Sequence, residues 1–334
     1  MVNKKIAIIG AGFAGLASAY YASSNADVTV IESEAVGAGA SGVSAGLLHC
    51  YVGKHAKLNW RGREAVAASK ELITVVEEAT GRTVSQKNGF LRIAIDEVYE
   101  ADFQKSAEIH KDVEWLTAAD CRDRVPGLVD APGIFVTSGW TVDAAAYMSA
   151  LWELCESRGV RFRKEEIDTL AQLSSYDHVV VAAGARTRSI RELSALPLRQ
   201  MKGQLLRYPW PEELPPLTYP VSGQVYVVMT DDGKACWVGS TFEKNFADVL
   251  PDQDIAYARI HPRLTDLFPC MEKYRPTDCQ AGVRCTSPNH LPLVDQFNER
   301  TTIFTGLGSK GLLYHALFAK QIVQKINHKS HLQN

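Results

Sequence analysis

Two kinds of hydrophobic pattern run along the chain. Residues 5–9 (KIAII), 28–31 (VTVI), 178–183 (HVVVAA) and 303–305 are largely apolar without alternation, the pattern of short strands buried on both faces. Residues 13–24 form a helical stretch of small residues between the first two, so the chain opens with a β–α–β unit. Residues 57–80 carry apolar positions at helical spacing and stop at Gly81, which suits the left-handed position that ends a helix. Further helices are expected at 98–110, 117–125, 143–158 and 311–326, with Thr117 and Asp120 spaced for a capping box and Asp143 placed as an N-cap. Residues 89–95 alternate like a strand, and 161–164 read as a short strand. From 199 to 280 the character changes to strands (204–208, 225–229, 235–238) with prolines between. Buried strands and helices at both ends, with β-rich stretches between, predict an α/β protein in which a Rossmann-like domain is interleaved with a mixed, mainly antiparallel β-sheet domain. The first is expected over 1–82, 141–198 and 281–334, and the second over 83–140 and 199–280.

Composition changes this picture little. A hydrophobic share of 46% is that of a globular chain with a real core, and a net charge of −2 gives no global attraction to nucleic acid or anionic membrane. The seven cysteines show no CxxC pair and no zinc spacing, which predicts reduced thiols and a cytoplasmic protein. Lys4 and Lys5 before the apolar stretch 6–21 mimic a signal peptide, but Gly10, Gly12 and Gly15 interrupt it at meaningful spacing. With no other long apolar run, no membrane association is expected.

Those glycines carry the first chemistry. Gly10-Ala11-Gly12-Phe13-Ala14-Gly15 is a GxGxxG between a strand and a helix. The first glycine makes the turn, the second lets backbone approach a pyrophosphate, and the third lets helix and strand pack closely. The helix N-terminus then presents unpaired N–H groups and a positive dipole end to phosphate. Glu32, with Ser33 beside it, ends the second strand about 20 residues on, where a carboxylate holds ribose hydroxyls. The stretch 39–47 decides between NAD and FAD. Its small residues, with Ser41, Gly42, Ser44, Ala45, Gly46 and Leu47 as contact candidates, let backbone press against a flat ring, and the two hydroxyls can donate to phosphate or ring carbonyls. FAD, held noncovalently, is the expected cofactor. Near the other end of the chain, Gly308, Ser309, Lys310, Gly311 and Leu312 open the last helix, whose dipole with Lys310 suits a reduced flavin that becomes anionic. Ala183 and Gly184 end another buried strand where small residues let a nucleotide lie close.

Together these segments resemble the D-amino-acid oxidase superfamily of FAD enzymes, over nearly the whole chain. Lys202-Gly203-Gln204, the stretch 239–246 (GSTFEKNF), the stretch 282–294 (GVRCTSPNHLPLV) and the stretch 306–312 (GLGSKGL) are most similar to the oxidoreductase half of the bifunctional tRNA-modifying enzymes that make methylaminomethyl-thiouridine. Those enzymes carry an acidic residue at the place of Asn289 and an arginine at the place of Lys310. A methyltransferase domain precedes their oxidoreductase half. Here the glycine motif begins within ten residues of Met1, so only the oxidoreductase step is expected on this chain.

The resemblance implies a D-amino-acid oxidase/glutathione-reductase type of fold and oxidation of a C–N bond next to a carboxylate. The substrate it implies is the carboxymethylamino group of wobble uridine in tRNA, with glyoxylate released. The alternatives are a free glycine- or sarcosine-type amine and a flavin-binding protein without catalysis. Arg284 is the expected carboxylate clamp, because a guanidinium fork binds both oxygens. His49 is a candidate for the substrate pocket, with packing as the alternative, and Tyr226 and Lys202 are further pocket candidates. His290 reads as structural. Lys54, Lys57, Arg61 and Arg63 are the basic residues available to RNA, with a solvated helix face as the alternative. Cys285 lies near the place where sarcosine oxidases link their flavin, but alignment puts that place nearer Gly282.

Overall fold

The computed structural model describes residues 4–53 and 55–331. Its first sheet has six strands in the order Leu293–Asn298, Thr301–Thr305, His178–Val181, Lys4–Ile9, Ala26–Glu32 and Arg161–Lys164. All neighbours are parallel except the edge pair Leu293–Asn298 and Thr301–Thr305. The uninterrupted apolar runs are explained by burial of both faces. Ile6 and Ile8 pack under the helices Phe13–Ala22, Gly62–Thr80, Ala144–Ser157 and Gly311–His331, while Ala7 and Ile9 face a smaller cluster with Ile167, Leu173, Ile190 and Leu193.

The second sheet has eight strands in the order Asp278–Thr286, Arg199–Pro209, Ala235–Gly239, Tyr226–Met229, Val221–Ser222, Leu91–Ile93, Gly133–Val136 and Val113–Leu116. It is antiparallel except for the pair Val221–Ser222 and Leu91–Ile93. A three-stranded patch of Leu47–Leu48, Trp140–Val142 and Ser85–Gln86 completes the fold. The two large sheets meet where Thr286 bridges to Leu307, just past the end of Thr301–Thr305.

Local signals hold at several ends. Gly81 caps its helix at φ 69, Thr117 and Asp120 form a reciprocal capping box, and Asp143 accepts from the Ala146 amide. Two readings need correction. The helix expected from 57 begins at Gly62, because Asn59 Nδ2 donates to the carbonyls of Cys50 and Val52 and Arg61 adopts φ 50. The stretch 199–280, read as strands alone, also holds the helix Gln253–Leu267, which seats Ala256, Ile260, Leu264 and Leu267 on the second sheet despite Pro262 inside it.

Two buried histidines make the fold acid-sensitive. His315 lies among four helices with Nδ1 2.9 Å from the Leu312 carbonyl and Nε2 2.7 Å from the Tyr147 hydroxyl. A neutral ring donating from Nδ1 and accepting at Nε2 satisfies both contacts. Burial pulls this imidazole from 6.5 down to about 4, and burial followed by the Arg92 charge pulls His49 down to about 3. Above pH 6.5 both rings are neutral whether the chain is folded or unfolded. Below it the unfolded chain takes up protons that the folded chain refuses, so stability should fall by about 1.4 kcal/mol per pH unit for each histidine. The His315 contribution should level off near pH 4. Urea unfolding between pH 7.5 and 5 checks this, and His315→Gln should reduce the slope below pH 6.5 by about 1.4 kcal/mol per pH unit.

Candidate active site

At the N-terminal end the glycines do mechanical work. Gly10 turns at φ 103 and donates to the Ile31 carbonyl, and a Cβ there would strike the Ala182 carbonyl. A Cβ on Gly15 would overlap the Gly10 carbonyl oxygen, so only glycine lets helix Phe13–Ala22 sit on strand Lys4–Ile9. Ser41 reaches the start of that helix, where its Oγ accepts from the Phe13 amide at 3.2 Å and lies 2.8 Å from where a Gly12 Cβ would be. Ala11 and Ala14 complete this turn as buried residues.

Glu32 is held from three sides. Its Oε2 accepts from the Ala11 amide at 3.0 Å, and its Oε1 accepts from Ser33 Oγ at 3.0 Å and from the Glu34 amide at 3.2 Å. It lines a small cleft together with Gly10, Ser33, Ala183 and Arg186. Arg186 is a residue that sequence reading missed. Its guanidinium donates to Ser33 Oγ at 2.7 Å and to Glu166 at 2.5 Å, joining the loops on two sides of the cleft. Its only sequence signal is proximity to Gly184.

Residues 37–46 curl tightly, since a Cβ on Gly42 would meet the Gly37 carbonyl and one on Gly46 the Val142 carbonyl. Ser44 Oγ accepts from the Gly46 amide at 3.3 Å, Ala45 precedes that glycine, and Leu47 enters the three-stranded patch opposite Thr141. The curl rests on Gly282, whose Cβ would come within 2.5 Å of Val43 and 3.0 Å of the Ala40 Cα.

The C-terminal turn arrives beside the N-terminal one. A Cβ on Gly311, the first residue of the last helix, would lie 3.4 Å from the Phe13 ring. Two helix N-termini from opposite ends of the chain are therefore neighbours. Gly308 turns at φ 56 ahead of Ser309, Leu312 is buried, and Lys310 Nζ donates to the His290 carbonyl at 3.1 Å. Burial lowers the Lys310 pKa. His290 itself sits exposed at φ 57.

Arg284 projects from strand Asp278–Thr286, opposite Met201 and on the same face as Gly282. Its Nη2 donates to Ser240 Oγ and to the Thr241 carbonyl, both at 3.1 Å, and the Phe242 ring lies 4.7 Å from its guanidinium carbon. Among the described residues no carboxylate pairs with it, and Nη1 and Nε make no hydrogen bond. Burial lowers its pKa, with Tyr226 acting in the opposite direction. A half-buried cation with one edge tied down and the other edge free could hold an anion.

Behind it stands a frame that sequence reading quoted but gave no role. Glu243, Gln204 and Thr241 are buried and mutually bonded: Thr241 Oγ1 donates to Glu243 at 2.6 Å and Gln204 Nε2 donates to it at 2.9 Å. Lys202 and Glu243 exchange backbone hydrogen bonds, and Lys202 Nζ lies 3.8 Å from Asp248. The Tyr226 hydroxyl, pushed up to about 12 by burial, bonds to Ser240. Gly203 leaves the space that Arg284 fills, since its Cβ would lie 1.8 Å from Nη2. Gly203→Ala should therefore displace the guanidinium and raise KM for an anionic substrate by about 10- to 100-fold, with flavin content unchanged. Steady-state kinetics and the flavin-to-protein absorbance ratio check both halves.

Other candidates lie elsewhere. His49 is buried against Phe90, with Nδ1 accepting from the Tyr51 amide, so it is neutral and carries its proton on Nε2. Arg61 pairs with Glu64 and Gln321, and Arg63 with Asp112 and Tyr51, so both are engaged within the chain. Lys57 is exposed, and Lys54 lies outside the described residues.

Glycine-shaped room at two converging helix N-termini, a carboxylate held at the end of the second parallel strand and a separate sheet presenting a half-buried guanidinium are the arrangement a flavin oxidoreductase needs. A family model described as DAO, FAD dependent oxidoreductase, matches residues 5–325, and the chain belongs to this family. It therefore binds FAD and is an FAD-dependent oxidoreductase. The tRNA 5-methylaminomethyl-2-thiouridine biosynthesis bifunctional protein MnmC of Hydrogenovibrio crunogenus is 27% identical over 87% of this chain and 47% of its own length. The chain spans about half the length of such relatives. The fold is similar to that of glycine oxidase from Geobacillus kaustophilus, at TM-score 0.83 and 21% identity, covering 96% of this chain and 95% of that one. It is also similar to iminodiacetate oxidase from Chelativorans, at TM-score 0.81 and 20% identity, covering 96% and 95%.

Proposed function

We propose that this protein oxidises the C–N bond of an amine bearing an α-carboxylate, and that the substrate is the carboxymethylamino group of wobble uridine in tRNA. The free edge of the Arg284 fork, with no acidic partner among the described residues, carries the first part. The relatives named for tRNA 5-methylaminomethyl-2-thiouridine biosynthesis support the second. Bound FAD supplies the two-electron oxidant. Arg284 holds both carboxylate oxygens, Ser240 and Thr241 fix its plane, and the Gln204–Glu243 frame keeps those two in place. Loss of two electrons and two protons from the N–Cα unit leaves an imine. Water adds across it and the C–N bond breaks, giving glyoxylate and the shortened amine.

Gly10 to Gly15, Glu32 and Ser33, the stretch Ser41 to Leu47, Ala183 and Gly184, and the turn from Gly308 to Leu312 would hold the cofactor, with Lys310 as the cation that would favour its anionic reduced form. His49, expected as a pocket residue, is buried against Phe90 and is given no part in the chemistry. The attachment is noncovalent, since the place where sarcosine oxidases link their flavin falls nearer Gly282, which has no thiol, than Cys285. Residues 1–82, 141–198 and 281–334 are assigned to the cofactor domain and 83–140 and 199–280 to the substrate domain, with strand Asp278–Thr286, which carries Arg284, running across the 280/281 boundary as part of the second sheet. The protein works in the cytoplasm, a reading supported by seven cysteines that are all free. Among the described residues no helix is long and apolar enough to cross a membrane.

A free glycine-type amine is the second reading, favoured by the internal pairing of Arg61 and Arg63, which leaves little free positive charge on that stretch for RNA phosphates. Mass spectrometry of nucleosides from carboxymethylaminomethyl-tRNA incubated with the protein separates the two. Conversion to the aminomethyl nucleoside supports the tRNA reading. Unchanged tRNA with peroxide released from glycine, sarcosine or proline supports the other.

A further inference from the structure

One aromatic ring beside the clamp has no partner in the chemistry above. Phe242 is 60% exposed although its neighbours Thr241 and Glu243 are buried. One contact of its ring is the Arg284 guanidinium, at 4.7 Å. The ring is not on a freely swinging segment. Lys202 and Glu243 exchange backbone hydrogen bonds of 3.0 and 2.9 Å on one side of it, and the Lys202–Asp248 pair at 3.8 Å ties the following loop back. Val249 and Leu250 on that loop are also exposed, at 60% and 66%. A fixed, bare phenyl ring next to an anion site is surface that a substrate can cover. A glycine-sized molecule fills only the fork and leaves the ring in water. A glycine unit whose nitrogen bears a methylene and a flat ring places its carboxylate on Arg284 and has the reach to lay that ring on Phe242.

We infer that Phe242 is the stacking surface for a planar, nucleobase-like ring carried on the substrate nitrogen, so that the site prefers N-arylmethyl glycine units to free glycine. This rests on the reading that Arg284 holds the substrate carboxylate. Ring stacking of this kind corresponds to about tenfold in affinity or more.

The test uses the FAD-loaded protein and three ligands: glycine, N-benzylglycine and N-(cyclohexylmethyl)glycine, the last matching benzyl in size but not in planarity. Apparent Kd is read from the concentration dependence of anaerobic flavin reduction. The native protein should bind the benzyl compound about tenfold more tightly than the cyclohexylmethyl compound. Phe242→Ala should erase that difference while changing the glycine value less than about twofold, and Phe242→Trp should keep it. Equal affinity for the two bulky ligands in the native protein, or an equal loss for all three in Phe242→Ala, overturns the inference. If none of the three binds, the carboxylate reading fails, and the inference fails with it.

Discussion

Replacing Arg284 by leucine should leave the protein yellow and folded but lower kcat/KM for carboxylate-bearing amines by about a thousandfold. The size follows from the environment. The guanidinium is half-buried, meets no carboxylate among the described residues, and spends only Nη2 on Ser240 and Thr241. A substrate carboxylate in that place makes two charge-assisted bonds away from bulk water, and losing such a pair costs about 3–5 kcal/mol. Leucine also leaves the carboxylate facing apolar surface. Arg284→Lys should recover little, because a lysine is a point charge without the planar fork. Arg284 makes none of the backbone contacts of the glycine turns, so flavin content should match the native protein. Anaerobic flavin reduction and the flavin-to-protein absorbance ratio report the two expectations separately. Native rates in the leucine variant would remove Arg284 from the site.

The second large effect is expected at Gly15. A Cβ there overlaps the carbonyl oxygen of Gly10, which is backbone and has no rotamer to escape into. Helix Phe13–Ala22 must then lift from strand Lys4–Ile9, carrying with it the Phe13 amide and the Ser41 hydroxyl that meets it. Overpacking of this kind costs about 1–3 kcal/mol for one methyl group and more for a branched side chain. Gly15→Ala should weaken FAD binding by about 100-fold, and Gly15→Val should purify without flavin. Glu108→Ala is the control, since that side chain is exposed on helix Glu97–Ile109, away from the glycine turns. Fluorescence titration with FAD and thermal unfolding check all three variants.

The parts legible in the sequence were those where one local rule ties residue type to geometry. Gly10 and Gly15 could be read because a turn and a helix–strand contact each demand a missing side chain. Thr117, Asp120 and Asp143 could be read because caps are local. Helix Gln253–Leu267 was hidden by conflicting signals. Asp252 caps it, but Pro262 inside it and a narrow apolar stripe argue the other way. Strand Leu293–Asn298 escaped notice because it is a mostly exposed edge strand with no buried face to pattern it. The surroundings of Arg284 were out of reach for another reason. Ser240 and Thr241 are 44 and 43 positions away and arrive through the register of a sheet that no local rule sets. Arg186 joins Ser33, 153 positions away, to Glu166, 20 positions away, across the cleft beside Glu32.

The most direct measurement is anaerobic titration of the purified yellow protein with an N-substituted glycine, following flavin absorbance and assaying the released acid. The account predicts full bleaching and one glyoxylate for each flavin reduced. Flavin that stays oxidised with every α-carboxylate amine, yet bleaches with a donor lacking a carboxylate, would contradict it.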